Sequence, residues 1–91
     1  MALRLTNKVK VKNSLGLHTR PAAVIVRILQ SLKSSVYFTY KHETINARSI
    51  MSILMLAAKK NAQITITVEG EDAELVMKVL TKAFDEQFGD K

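Results

Sequence analysis

The sequence predicts an α+β fold of order βαββαβα, in which four strands form one antiparallel sheet and three helices pack on one face. Segments of period-two alternation change places with segments of helical periodicity along 91 residues. The two middle strands are joined by a turn too short for a crossover helix, so they pair antiparallel. The first and last strands carry polar residues at their outward positions (Lys8, Lys10, Lys12, Gln63, Thr65 and Thr67), as a sheet with one solvated face requires.

Residues 5–12 set Leu5, Val9 and Val11 against Thr6, Lys8, Lys10 and Lys12, with one polar interruption at Asn7, and read as a half-buried strand. Asn13 to Leu17 are turn formers and their neighbours, and Pro21 fits the first turn of a helix, where a missing N–H leaves nothing unbonded. Ala22, Ile25, Val26, Leu29 and Leu32 then recur at helical spacing, giving a helix over 20–32 that Ser34-Ser35 ends. Val36, Phe38 and Tyr40 alternate with Tyr37 and Thr39 in a strand, and Lys41-His42-Glu43 turns the chain back through Thr44 to Ala47. Ser49 suits the N-cap of a very apolar helix from Ile50 to Ala58, with Asn61 able to adopt the left-handed conformation after it. Ala62, Ile64, Ile66 and Val68 against Gln63, Thr65 and Thr67 make the clearest strand. Beyond Gly70-Glu71-Asp72, the residues Ala73, Val76, Met77, Leu80 and Phe84 line up on a last helix, with Asp72 and Glu74 suited to the positive end of its dipole.

Size and composition bound the function. A chain of 91 residues is expected to be a single domain, 1–91, around one core. The absence of cysteine removes zinc fingers, thiol redox motifs and disulfide scaffolds, and fits a reducing, cytoplasmic setting. No run is apolar enough for a signal peptide or a membrane span, so a soluble protein is expected. Fourteen basic against eight acidic residues leave a net charge of +6, which calls for an anionic partner of some kind. Nucleic acid ranks low among these, because the first and last strands offer no outward aromatic on which a base could stack, leaving mainly Tyr37. With two histidines and no cysteine, a transition-metal site is not expected, and His42 reads as a solvated turn residue.

One constellation suits a phosphoryl group. Gly16-Leu17-His18-Thr19-Arg20-Pro21-Ala22-Ala23 puts an imidazole just before a helix and a guanidinium in its first turn. The unbonded N–H groups of that turn favour an anion, Arg20 offers planar donors to phosphate oxygens, and neutral imidazole can attack phosphorus to give a phosphoramidate that remains transferable. Taken alone, the tetrapeptide reads sooner as an ordinary polar turn before a helix. The second constellation is the run Ile50 to Ala58, too apolar all round for a short helix covering one face. If Ile53, Leu56 and Ala57 face the core, Ile50, Met51 and Leu54 form a second stripe that is either a docking surface or covered by another part of the molecule. Ser49 is an N-cap and also a hydroxyl open to phosphorylation at a helix start, and the two readings are compatible.

Gly16 to Ala22, then Asn46-Ala47-Arg48-Ser49-Ile50-Met51, then the strand end Ile64 to Gly70, together resemble the HPr family, the histidine-containing phosphocarriers of the bacterial phosphoenolpyruvate-dependent sugar phosphotransferase system. The resemblance spans nearly the whole chain and implies an HPr-like open-faced β-sandwich. It implies that enzyme I, charged from phosphoenolpyruvate, phosphorylates His18 at Nδ1, that Arg20 assists, and that the group passes to the EIIA domains of sugar permeases. Ser49 falls on the serine that an HPr kinase/phosphorylase modifies in many Gram-positive and some other bacteria. Thr19, Ile50, Met51 and Leu54 fall on the partner-docking surface, which favours exposure of the apolar stripe. The resemblance further implies a cytoplasmic monomer that is a carrier and not an enzyme, with no cofactor, no metal, no nucleic acid and no membrane insertion. The alternative is a regulatory member that acts through phosphorylation and protein binding instead of sugar transport. Arg48 stands where lysine frequently precedes the serine, and Ala58-Lys59-Lys60-Asn61 replaces a glycine-containing end to the second helix.

Overall fold

The first alternating segment forms β1, Leu3–Lys10, in a computed structural model that describes residues 3–90. It is followed by α1 (Thr19–Gln30), β2 (Ser35–Tyr40), β3 (Glu43–Asn46), α2 (Ile50–Met55), β4 (Gln63–Gly70) and α3 (Ala73–Asp85), with a 3₁₀ turn at Gln87–Gly89. The strands form one antiparallel sheet in the order β1-β4-β2-β3. The expected architecture is therefore the observed one.

Register explains where the core lies. Leu5 faces Val68, which faces Val36, and Ile66 stands between Asn7 and Phe38, so the apolar positions of successive strands share one face. A one-residue slip would turn them all to solvent. Val36, Phe38, Ile64, Ile66 and Val68 are buried there beneath Ile25 and Leu29 of α1 and Val76, Leu80 and Phe84 of α3. Phe84 meets Phe38 edge-on at 5.7 Å between ring centroids. All five residues expected on the inner stripe of α3 are buried, as are Ala22, Ile25 and Leu29 of α1, while Val26 and Leu32 pack against the core half-buried.

The outer face is polar. Lys8, Lys10 and Gln63 are exposed, Thr65 and Thr67 half-buried. Lys12 is exposed as well, but its ammonium pairs with Asp85 at the end of α3, which holds that carboxyl below its usual range. Two residues, Lys41 and His42, close the β2–β3 hairpin, Lys41 at φ 57°.

Several boundaries differ from the sequence expectation: the first strand runs Leu3–Lys10 where 5–12 was expected, so that Val11 and Lys12 lie beyond it, and the third runs Glu43–Asn46, one residue early. The first helix ends at Gln30, two residues early. The second ends at Met55 and not at Ala58, because Ala57 takes a left-handed conformation (φ 51°) and Ala58 leaves the helix to accept the Leu17 N–H at 2.9 Å. Ala57 is consequently exposed, and Ala58 fills the core position expected of it. Asn61 is left-handed at φ 74°, but in the turn leading into β4 and not at the end of the second helix.

Candidate functional site

The loop carrying His18 is fixed by one backbone approach. Gly16 has φ 71°, and a Cβ there would lie 2.3 Å from the Ala58 carbonyl oxygen. Only glycine meets both conditions. Its neighbour Leu17 donates to that same oxygen, so the loop is anchored to the segment after α2.

Anchored in this way, the chain enters α1 with His18 as N-cap, extended at φ −83° and ψ −168°; its carbonyl accepts the Ala22 N–H at 3.1 Å, while its ring makes no capping bond. The N–H groups of Thr19 and Arg20 therefore have no partner inside the helix, and Pro21 has none to offer. The His18 ring is free to face outward, 30% exposed. Arg20, 74% exposed, extends from the same turn.

A third residue joins them. The Asp90 carboxylate lies with Oδ2 2.9 Å from His18 Nε2 and Oδ1 3.2 Å from Arg20 Nη1, so one anionic group bridges imidazole and guanidinium. Sequence reasoning surrounded His18 with positive charge alone and missed this carboxylate. Asp90 arrives there because the chain turns back after α3 through Gln87 (φ 58°) and Phe88 (φ 54°), both left-handed. Phe88 is buried, its ring 4.8 Å from that of Phe84, and the buried Asn13 donates from Nδ2 to the carbonyls of Gln87 (2.9 Å) and Asp90 (3.3 Å). An aromatic in an otherwise polar stretch, Asp-Glu-Gln-Phe-Gly-Asp, was the available signal.

Ser49 lies apart from this cluster, at the start of α2. It is the N-cap expected of it, half-buried, with Oγ accepting the Ser52 N–H at 3.2 Å. Ile50 and Met51 are exposed, Met51 at 68%. Leu54 is half-buried and packs against the core, so less of it is open to a partner than its stripe suggested. Met55 at 75% and Leu15 at 75% are the most exposed large apolar residues here, and neither was singled out from sequence. Thr19 is exposed beside His18.

Arg48, beside Ser49, points elsewhere. Its guanidinium donates to the carbonyls of Leu29, Leu32 and Ser34 at 2.7–2.8 Å, gathering the end of α1 and the chain that follows. Asp72 works on the same stretch: its carboxylate accepts from the Ser34 hydroxyl and from the N–H groups of Lys33 (2.8 Å) and Ser34 (2.9 Å). Those bonds, that of the hydroxyl first, hold the Asp72 carboxyl below its usual range. Asp72 is the N-cap of α3, at the helix start expected of it, and its carboxylate caps no helix N–H but ties α3 to the stretch after α1.

Among the described residues no group of three or more potential metal ligands comes together, and no helix is long and apolar enough to cross a membrane.

Comparison with known proteins agrees with this fold. The family model described as the PTS HPr component phosphorylation site matches residues 5–86. The chain is similar to the phosphocarrier protein HPr of Chlamydia pneumoniae, with 45% identity over 80 residues that span 88% of this chain and 74% of that protein. Of solved structures, it is similar to HPr-C-His from Thermoanaerobacter tengcongensis, with a TM-score of 0.90 and 30% identity over 96% of this chain and 98% of that one. It is also similar to HPr from Bacillus anthracis, with a TM-score of 0.83 and 36% identity over 89% and 95% of the two chains. With a matching family model across most of its length, relatives above the level at which fold and family coincide, and the same sheet and helices, this chain belongs to the HPr family of phosphocarriers of the phosphotransferase system.

Proposed function

We propose that this chain accepts a phosphoryl group on Nδ1 of His18 from phosphorylated enzyme I, itself charged by phosphoenolpyruvate, and passes it to the EIIA domains of sugar permeases. The observation that carries the reading is the placing of a part-exposed His18 imidazole beside the exposed Arg20 guanidinium at a helix start whose first N–H groups no side chain of His18 caps. A ring nitrogen supplies the nucleophile, and Arg20 with the free N–H groups of the first turn neutralises the phosphoryl oxygens. Thr19, Ile50 and Met51 belong to the surface that meets the protein partners, with Met55 the more exposed neighbour on α2. Exposed Lys8, Lys10 and Arg27 speed encounter with acidic partners, an effect that added salt weakens. Incubation with phosphoenolpyruvate and enzyme I is expected to give an acid-labile, base-stable label on the protein. Label of undiminished amount on His18→Ala would sink the proposal.

Regulation through Ser49 is supported by its position at an N-cap beside exposed Ile50 and Met51, where a phosphate would add negative charge at the positive end of α2 and alter the docking surface. ATP and an HPr kinase are expected to give an acid-stable label that Ser49→Ala abolishes. No incorporation at Ser49 would remove the regulatory role and leave the carrier role untouched.

A further inference from the structure

The scheme above gives no work to the carboxylate that bridges His18 and Arg20. We propose that Asp90 is a positioning residue for phosphoryl transfer: it holds the proton of His18 on Nε2, aims Nδ1 outward as the nucleophile, and balances the charge the ring acquires when Nδ1 bonds to phosphorus. This rests on the assignment of His18 as acceptor and deepens it.

The geometry settles the direction of the hydrogen bond. An ionised carboxylate can only accept, so at 2.9 Å from Asp90 Oδ2 the Nε2 of His18 is the donor. A neutral ring with its proton on Nε2 has its lone pair on Nδ1. The carboxylate's second oxygen takes one N–H of Arg20, which keeps the two cationic or potentially cationic groups on the same side of the helix start. Arg20 retains donors for other oxygens, since the fork carries five and Asp90 uses one.

The carboxylate is itself built in. Its side chain is 19% exposed, less than either partner. Phe88 sits in the core against Phe84, and Asn13, buried to 1% exposure, holds the backbone at Gln87 and Asp90 from the loop that leads to His18. Two consecutive non-glycine residues, Gln87 and Phe88, are left-handed to make the turn. Such conformations persist where surrounding contacts over-determine them.

In the transfer, the Nδ1 lone pair attacks phosphorus, the Nδ1–P bond forms, and the bond from phosphorus to the donor atom breaks with its electron pair staying on the donor. The proton remains on Nε2. The ring therefore takes on positive charge, and the Asp90 carboxylate lies against the N–H that shares it, as carboxylates do behind a reacting imidazole. In onward transfer the Nδ1–P pair returns to the ring, which departs as neutral imidazole and not as imidazolate, and no proton has to move in either direction.

The test uses the full chain with enzyme I and phosphoenolpyruvate. Asp90→Asn keeps the size of the side chain and removes its charge. We expect phosphorylation of Asp90→Asn to fall about tenfold in kcat with KM for the carrier little changed, the low end of what groups that orient a functional imidazole contribute. Asp90→Glu, which restores a carboxylate, recovers part of the rate and carries the test should the amide loosen the segment. Glu71→Gln, an exposed carboxylate elsewhere, serves as the charge control and leaves the rate unchanged. Long-range ¹H–¹⁵N spectra of the His18 ring supply a readout that a merely structural role would not move: the proton on Nε2 in the unaltered chain, and exchange between both ring nitrogens in Asp90→Asn. Wild-type rate together with an unchanged ring spectrum in Asp90→Asn overturns the role of Asp90, as does a wild-type ring protonated on Nδ1. A wild-type chain that takes up no label overturns instead the assignment of His18 on which this rests.

Discussion

At the start of α1 the N–H groups of Thr19 and Arg20 face outward and His18 makes no capping bond, whereas at the other end three carbonyls converge on the guanidinium of Arg48 and two N–H groups on the carboxylate of Asp72. The same helix is thus left open at one end, while at the other Arg48 takes its Leu29 carbonyl and, with Asp72, pairs the backbone that follows it. Orphan groups at a helix terminus cost little when water or a ligand can reach them and more when they are covered. The open end is where an anion can be received. The closed end sits beneath the Ser49 loop and the start of α3, where unpaired backbone groups would destabilise the fold.

Substitutions can break this contrast, beginning where the effect is greatest. Gly16→Ala forces a left-handed backbone onto a side chain whose Cβ would collide with the Ala58 carbonyl. A loss of about 3 kcal/mol in urea unfolding is expected, with the His18 loop displaced. Arg48→Ala opens the closed end by removing the guanidinium's bonds to three carbonyls, and should cost about 2 kcal/mol. Arg48→Lys should recover less than half of that, because an ammonium lacks the planar fork. If the two ends are independent, both Arg48 variants accept phosphate from enzyme I at the rate of the unaltered chain. Slowing in parallel with the stability loss would show that the ends are coupled.

Asp72→Asn tests the closed end more gently, and through pH. The folded-state pKa of Asp72 is lowered from 3.8, so its stabilising contribution is fully present above that value and disappears as the pH falls through the lowered one. The urea midpoint of Asp72→Asn should lie below that of the unaltered chain at pH 7, and the two should converge in acid. A gap that persists undiminished in strong acid would show that the hydrogen bonds do not depend on the charge. The smallest change in stability belongs to Arg20→Lys at the open end, within about 0.5 kcal/mol for so exposed a side chain. Its effect is chemical: phosphoryl transfer should slow with the fold intact, and unchanged kinetics would show that Arg20 acts through its field and not through bidentate contact.

Much of this was legible in the sequence, and what was missed shares a cause. The strands and the stripe of α3 follow from periodicities that the core enforces directly, and the Ser49 cap is written within four residues, Ser49 to Ser52. Asp90, by contrast, touches His18 across 72 positions, through a left-handed turn that no local preference of Gln87 or Phe88 announces. The sequence shows Arg48 only as a basic residue before Ser49, because composition reports charge and not direction; its guanidinium turns inward to the Leu29 carbonyl of α1 and to those of Leu32 and Ser34 beyond it. The second helix was drawn too long because its apolar run continues to Ala58, while the chain leaves the helix early to meet the Leu17 N–H. In each case a tertiary hydrogen bond overrode a pattern that was locally sound.

The sheet order β1-β4-β2-β3 has a consequence for the order in which the protein can be made. The strand that sits between the first and second pieces of the sheet is the last to be synthesised, so a nascent chain still lacking Gln63–Gly70 holds one hairpin and an unpartnered β1. Loop closure across more than fifty residues must then precede the pairing of β1 with β4, which slows folding relative to a meander of the same length. Until β4 emerges, the apolar faces of Val9, Val36 and Phe38 have no strand between them, and it is during that interval on the ribosome that a chaperone would find the most to hold.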